Sequence, residues 1–155
     1  MTSNFIFMGE LNKYYAVWQE CNYVYEEWAK AHGLSINSLW VLSDIYEGKE
    51  DCTQRKISQH WQIPKQTVNM ILKDLEKRGF VELLPIQEDK RNKRIQFTAK
   101  GNEYADTIIS SLRKVELFVI EEMGTERIKQ LNDNMALFVE LFSKAGGNKN
   151  HETDL

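Results

Sequence analysis

At Gly79 the apolar residues of this chain stop recurring every three or four positions and begin to alternate. Before it, Val68, Ile71, Leu72 and Leu75 share one side of a helix that starts at Pro64 and ends near Arg78. After it, Phe80-Val81-Glu82-Leu83-Leu84 and Arg94-Ile95-Gln96-Phe97 have the pattern of two short strands flanking a polar run from Gln87 to Lys93. A chain that changes period this way must fold as helices followed by a hairpin with a charged tip. Upstream, Thr53 to Trp61 has the length of one short helix, and Gln62-Ile63-Pro64 makes a tight break before the next. Pro64 suits a helix start, where its missing N–H would have no partner in any case.

Helices flank this unit on both sides. Leu11, Tyr14, Trp18, Cys21, Tyr25 and Trp28 alternate spacings of three and four, which places them along one side of a helix from Leu11 to Trp28 closed by Gly33. Ser35 is placed to cap a second helix that carries Leu39, Trp40, Leu42, Ile45 and Tyr46 and ends near Gly48. The stretch 49–52 is a polar connection. Thr98 caps a long helix over Ala99–Met123, with Ala105, Ile108, Ile109, Leu112 and Val115 on its expected buried side. Gly124-Thr125 breaks it before a last helix striped by Ile128, Leu131, Met135, Phe138 and Phe142. The fold class is mainly α with a small β component (α+β), a winged helix-turn-helix with flanking helices.

The formal net charge of −3 taken alone argues against a polyanion as partner. Its distribution does not: residues 53–100 hold eleven Lys/Arg against five Asp/Glu, a local +6 inside an otherwise acidic chain. That is the electrostatic footprint of a nucleic-acid-binding segment on an acidic scaffold. No apolar run approaches the roughly 20 residues that span a bilayer, and Met1-Thr2-Ser3-Asn4-Phe5 lacks the features of a secretion signal, so a cytoplasmic protein is expected. Cys21 and Cys52 form no disulfide framework, and His32, His60 and His151 are scattered, so neither a metal nor a cofactor is expected. There is no phosphate-binding glycine loop and no nucleophile motif, and the chain is not expected to be an enzyme.

On the helix after Pro64, Gln66, Met70, Lys73 and Lys77 cluster opposite the apolar side, with Asn69 at the edge. Gln and Asn can donate to and accept from a base edge, Lys pairs with phosphate or guanine acceptors, and an exposed Met can press on a thymine methyl. Lys65 and Thr67 stand at the start of the same helix, within reach of phosphate. The hairpin tip, Glu88-Asp89-Lys90-Arg91-Asn92-Lys93-Arg94, carries four basic residues on an extended loop suited to a narrow minor groove. A polar helix face or a charged turn is usually only solvated; a helix-turn-helix followed directly by a basic hairpin is a far rarer combination.

The run from Thr53 through Gly101 resembles the MarR family of bacterial regulators, named for multiple antibiotic resistance. The likeness rests on Val68 to Leu75, Glu76-Lys77-Arg78-Gly79-Phe80-Val81, Asp89-Lys90-Arg91 and Phe97-Thr98-Ala99-Lys100-Gly101, and extends over roughly Leu11 to Phe142. The resemblance implies that Arg91 enters the minor groove and that Asp89 orients it. Gln62 stands where the family often has Gly or Asn, and Pro64 where it often has Ser. These departures change detail and sequence preference, not class.

The resemblance also implies a homodimer built from the first and last helices, and hence a palindromic site. Candidate interface residues are Phe5, Ile6, Phe7, Leu11, Phe138, Leu141 and Phe142, which would equally serve as intramolecular core. The expected organisation is 1–48 for dimerisation and support, 49–101 for DNA, 102–145 for dimerisation and 146–155 as a flexible tail. Many family members bind small phenolic or lipophilic effectors, and Tyr14, Trp18, Trp28 and Trp40 are candidates to line such a cleft, although aromatics at helical spacing are more often core. Cys21, with no Lys, Arg or His nearby in sequence, is expected as a buried inert thiol. The function expected is that of a sequence-specific transcriptional regulator, of repressor type by family habit, with a winged-helix protein adaptor as the alternative.

Overall fold

The computed structural model describes residues 2–48, 52–86 and 89–146, with the side chains of residues 2–5 and 89–92 outside that description. Residues 49–51 of the expected polar connection, residues 87–88 of the expected hairpin tip and residues 147–155 of the expected tail lie outside the described residues. The elements run α1 (Thr2–Ala31), α2 (Ile36–Gly48), α3 (Gln54–Trp61), α4 (Lys65–Lys77), β1 (Val81–Ile86), β2 (Asp89–Phe97), α5 (Ala99–Met123) and α6 (Thr125–Gly146). Two compact units divide the chain at Ser110/Ser111, within α5.

In the first unit α2 packs against α1, α3, α4 and β2, and its Leu39, Val41, Leu42 and Ile45 are buried. Ile57 of α3, Val68, Leu72 and Leu75 of α4, Val81 and Ile95 of the hairpin, and Ala105, Ile108 and Ile109 of α5 complete this core. In α4 and the first turns of α5 the hydrophobic patterns thus bury most of the residues that the spacing assigns to the inner face. Ser35 caps α2 as expected, its Oγ accepting from the Ser38 N–H at 3.1 Å. Gly33, at φ +74°, ends α1 in a left-handed turn in which the Leu34 N–H reaches the Ala29 carbonyl.

Several expectations need correcting. α1 begins at Thr2, not near Leu11, because Phe5-Ile6-Phe7 continue the helix. Between Ile6 and Ala31 only Ala29 is buried. Cys21 is accordingly exposed and not a buried thiol, since the apolar seam it belongs to finds no cover within one chain. The hairpin strands are longer than the alternation suggested, and Asp89 to Lys93 belong by backbone to β2 instead of to a loop. Antiparallel pairing runs from Val81↔Phe97 to Ile86↔Asp89, with an irregularity between Pro85 and Ile86. In a two-stranded sheet both strands are edges, so Pro85 is tolerated there.

The second unit holds the rest of α5 and α6, joined at Gly124 with φ +81°. Leu112 is buried, but Val115, expected on the buried side, is exposed together with Leu117, Phe118, Val119 and Ile120. Consecutive residues 117–120 point to every side of a helix, so no single packing face could cover them all. No residue of α6 is buried. Its stripe is nevertheless real, and Phe138 and Phe142 stack with centroids 6.2 Å apart. Among the described residues no helix is long and apolar enough to cross a membrane.

Candidate nucleic-acid interface

The two-helix unit is tied together by side chains that reach backbone. Thr53 caps α3, its Oγ1 accepting from the Lys56 N–H at 3.3 Å. Gln54 Nε2 then donates to the Lys65 carbonyl at 2.9 Å, and Ser58 Oγ donates to the Ile63 carbonyl at 2.7 Å. These bonds fix the start of α4 against α3. Between them Gln62 takes φ 54°, a left-handed conformation in which a non-glycine residue is strained; its Nε2 donates to the Gln59 carbonyl at 2.7 Å. Ile63 and Ile57 fill the angle between the helices.

Pro64 and Arg78 flank α4 as its caps, and Pro64 provides no side-chain cap bond. Val68, Leu72 and Leu75 face inward, Ile71 is half-buried, and Gln66, Met70, Lys73 and Lys77 are exposed. Met70, at 69% exposure, is an apolar side chain held in water on the face opposite the core. Lys65 is exposed, and Thr67 and Asn69 are half-buried at the edges. All seven candidates on α4 thus share one helix, and the four of its outer face are free of the core.

The end of α4 sets where the hairpin starts. Gly79 turns left-handed at φ +74°, its N–H bonding the Glu76 carbonyl while the Phe80 N–H bonds the Leu75 carbonyl. Phe80 stacks on Tyr104 of α5 at 4.3 Å and 7°. The Arg78 guanidinium lies 4.6 Å from the Phe80 ring centre, and Lys100 Nζ lies 4.9 Å from it while donating to the Arg78 carbonyl at 3.0 Å. Burial opposes the charge of Arg78, but hydrogen bonds to Tyr104 and Asp74 outweigh it and hold its pKa above the ordinary value. Thr98 Oγ1 accepts from the Gly101 N–H at 3.0 Å and donates to the Gly79 carbonyl at 2.7 Å. At the other side, the Ile95 N–H donates to the Cys52 carbonyl at 2.9 Å and Thr53 pairs with Arg94, so the hairpin is anchored to both ends of the helix-turn-helix.

Within β2, Lys93 is exposed and Arg94 half-buried; the side chains of Asp89, Lys90 and Arg91 lie outside the described residues. Of the aromatic candidates, Trp40 stacks on Trp61 at 4.3 Å and 8°, Trp28 stacks on His32 at 3.7 Å, Tyr14 is half-buried and Trp18 is exposed. Asp44 binds α2 to α3 by accepting from Trp61 Nε1 at 2.7 Å and sitting 2.8 Å from His60 Nδ1. Neither this cluster nor the anchoring by Gln54 carries a periodic signal, and sequence reasoning missed both. Ile6, Phe7, Leu141 and Phe142 are exposed, Phe138 is 39% exposed and Leu11 is half-buried, whereas the side chain of Phe5 is outside the description. No group of three or more metal-ligating side chains occurs among the described residues.

A short helix, a left-handed turn, a helix with one free polar face and an antiparallel hairpin, in that order, define a winged helix-turn-helix protein. Residues 32–92 match the profile of the MarR family. The chain is similar to members of that family over this span. It is 29% identical over 136 residues to the HTH-type transcriptional regulator Hpr of Bacillus licheniformis, covering 88% of this chain and 64% of the relative. The chain spans less than two thirds of the length of the Hpr relatives it matches. The fold is similar to that of NMB1585, a MarR family regulator from Neisseria meningitidis, with a TM-score of 0.79 and 25% identity over 91% of this chain and 99% of that one. It is also similar to Staphylococcus aureus MepR in its complex with DNA, with a TM-score of 0.69 and 19% identity over 82% of this chain and 96% of that one.

Proposed function

We propose that the protein is a homodimeric DNA-binding transcription regulator, of repressor type, and not an enzyme. α4 lies in the major groove and the wing, residues 85–94, in the minor groove of a palindromic operator. The observation that carries this is the outer face of α4: Gln66, Met70, Lys73 and Lys77 are exposed while the opposite face is locked in the core by Val68, Leu72 and Leu75. A face of amide, cation and thioether groups held this rigidly fits a base-reading surface. Support comes from the relatives named as transcriptional regulators and from the occurrence of the same fold with DNA in MepR.

Lys65, Thr67 and Asn69 contact phosphate and base edges along α4. In the wing, Arg91 enters the groove, Asp89 braces it, and Lys90, Lys93 and Arg94 add positive charge near the backbone. Residues 49–101 form the DNA-binding part, with 1–48 and 102–145 supporting and pairing the subunits through Ile6, Phe7, Leu11, Phe138, Leu141, Phe142 and the adjoining Phe5. The exposure of most of these apolar side chains in the single chain supports a covering partner. A small aromatic or lipophilic effector at Tyr14, Trp18, Trp28 and Trp40 would release DNA by favouring a separation of the two reading helices that the operator does not fit. The site of action is the cytoplasm.

The test is an anisotropy titration against the promoter region of the protein's own gene, at two salt concentrations, beside a random duplex. Selective binding that falls steeply with salt is the expected result. Affinity equal to that for random DNA at both salts would overturn the reading for that promoter and favour an adaptor role.

A further inference from the structure

Met70 stands apart from the other exposed apolar side chains of this molecule. At 69% it is the most exposed of the large ones among the described residues. The others lie on α1, at Val24 and before it, or on α5 and α6, at Val115 and after it. Between those two positions Met70 is the single exposed large apolar side chain among the described residues. Pairing of two copies through the end helices therefore gives no account of it. Its place on α4 does. Gln66, Met70 and Lys73 stand at positions i, i+4 and i+7 and are all exposed, while Val68 and Leu72 on the opposite face are buried. With a rise of about 1.5 Å per residue, Met70 sits roughly 6 Å past Gln66 and roughly 4.5 Å short of Lys73 along the helix axis.

Base pairs repeat about every 3.4 Å along a duplex, so a helix lying in the major groove sets Met70 over a base between those that the amide and the cation reach. The base edges in that groove are donors and acceptors with one apolar exception, the 5-methyl group of thymine. Resting on the reading of α4 as the base-contacting helix, we propose that Met70 is the residue that specifies thymine: each half of the operator carries a thymine whose 5-methyl packs against the Met70 side chain, between the bases met by Gln66 and Lys73. The unbranched thioether chain adapts its shape to a methyl group, and the contact takes apolar surface of both partners out of water. A polar base edge at the same place leaves its donors and acceptors facing an apolar side chain that cannot pair with them. The buried Val68 and Leu72 hold the backbone that carries Met70, so the side chain reaches the groove from a fixed point.

The experiment starts from a duplex selected out of a randomised pool by the full chain. Each thymine of that duplex is then replaced in turn by uracil, which lacks only the methyl group, and affinity is read by anisotropy. One thymine in each half is expected to respond, with a loss of about fourfold, the change that follows from burying one methyl-sized group. Met70→Ala removes an exposed side chain and leaves the core of α4 untouched. It is expected to bind the thymine duplex about as weakly as the unaltered chain binds the duplex with both thymines replaced, and to respond to uracil by less than about twofold. A selected duplex on which no uracil replacement lowers affinity, or an equal loss in Met70→Ala, would overturn the assignment while leaving α4 as a base-contacting helix. A pool that yields no preferred sequence would overturn the regulator reading and this assignment together.

Discussion

Gly101 lies against the backbone of Phe80 so closely that a Cβ at position 101 would fall 1.8 Å from the Phe80 carbonyl oxygen. That oxygen accepts from the Thr98 N–H at 3.0 Å, and Thr98 in turn bonds Gly79 and Gly101. The contact therefore brings together the end of α4, the root of the hairpin and the start of α5. An added methyl would meet backbone, which cannot rotate away as a side chain can. Gly101→Ala is expected to cost about 1–3 kcal/mol, the range for overpacking a tight site. Urea unfolding measures it, and an unchanged midpoint would mean that the close approach does not hold in solution.

The outer face of α4 and the wing should fail in different ways when altered. If α4 reads base edges as proposed, Lys73→Ala or Gln66→Ala is expected to cost roughly 1–3 kcal/mol on the preferred operator and little on other sequences. Arg91→Ala is expected to weaken binding to all duplexes and to lower the salt dependence by about one phosphate contact, with the fold retained. Anisotropy titrations of both classes against matched and scrambled duplexes separate them. Uniform losses for Lys73 and Gln66 would reduce these residues to holders of phosphate.

Period and punctuation were enough to locate most of the fold. Thr98, Ser35 and Gly124 stand where the chain breaks, and the structure places caps or left-handed turns at each. Burial of Val68, Leu72 and Leu75 followed from spacing because those side chains meet a core within one chain. Val115 and Cys21 did not follow: a stripe shows that a face wants cover, not where the cover comes from, and both are exposed. The strand extent failed for another reason. Asp89 to Lys93 are five polar residues in a row, so no apolar alternation marks them as a strand. Contacts between residues far apart in sequence, such as Tyr46 with Asp106 or Gln54 with Lys65, leave no periodic trace at all.

The Tyr46–Asp106 bond has a pH signature. The hydrogen bond to Asp106, with desolvation and the nearby negative charge adding to it, raises the Tyr46 pKa above its ordinary value of about 10. The folded state thus holds the phenolic proton more tightly than the unfolded one. Its contribution to stability is fully present below about pH 10 and is lost as pH rises through the raised folded value. Tyr46→Phe is expected to be less stable near neutral pH and to show a shallower loss of stability in alkali than the unaltered chain. Parallel alkaline profiles from denaturant unfolding would show that the bond does not persist in solution.

The apolar surface at both chain ends leads to the last expectation. Ile6 and Phe7 near the start of α1, and Leu141 and Phe142 near the end of α6, are each more than half exposed in the single chain. Neighbouring Leu137 and Val139 are exposed to a similar degree. Such a surface is costly in water and is stabilised when a partner covers it. A second copy of the chain supplies two such patches at once, related by symmetry. If the chain pairs as proposed, Phe7→Glu combined with Phe142→Glu puts two charges per copy on surface that pairing would cover, and sedimentation equilibrium is expected to shift from dimer to monomer at micromolar concentration. Operator affinity should fall with it, because one reading helix then binds without its twin. A variant that remained dimeric would place the interface elsewhere on the molecule.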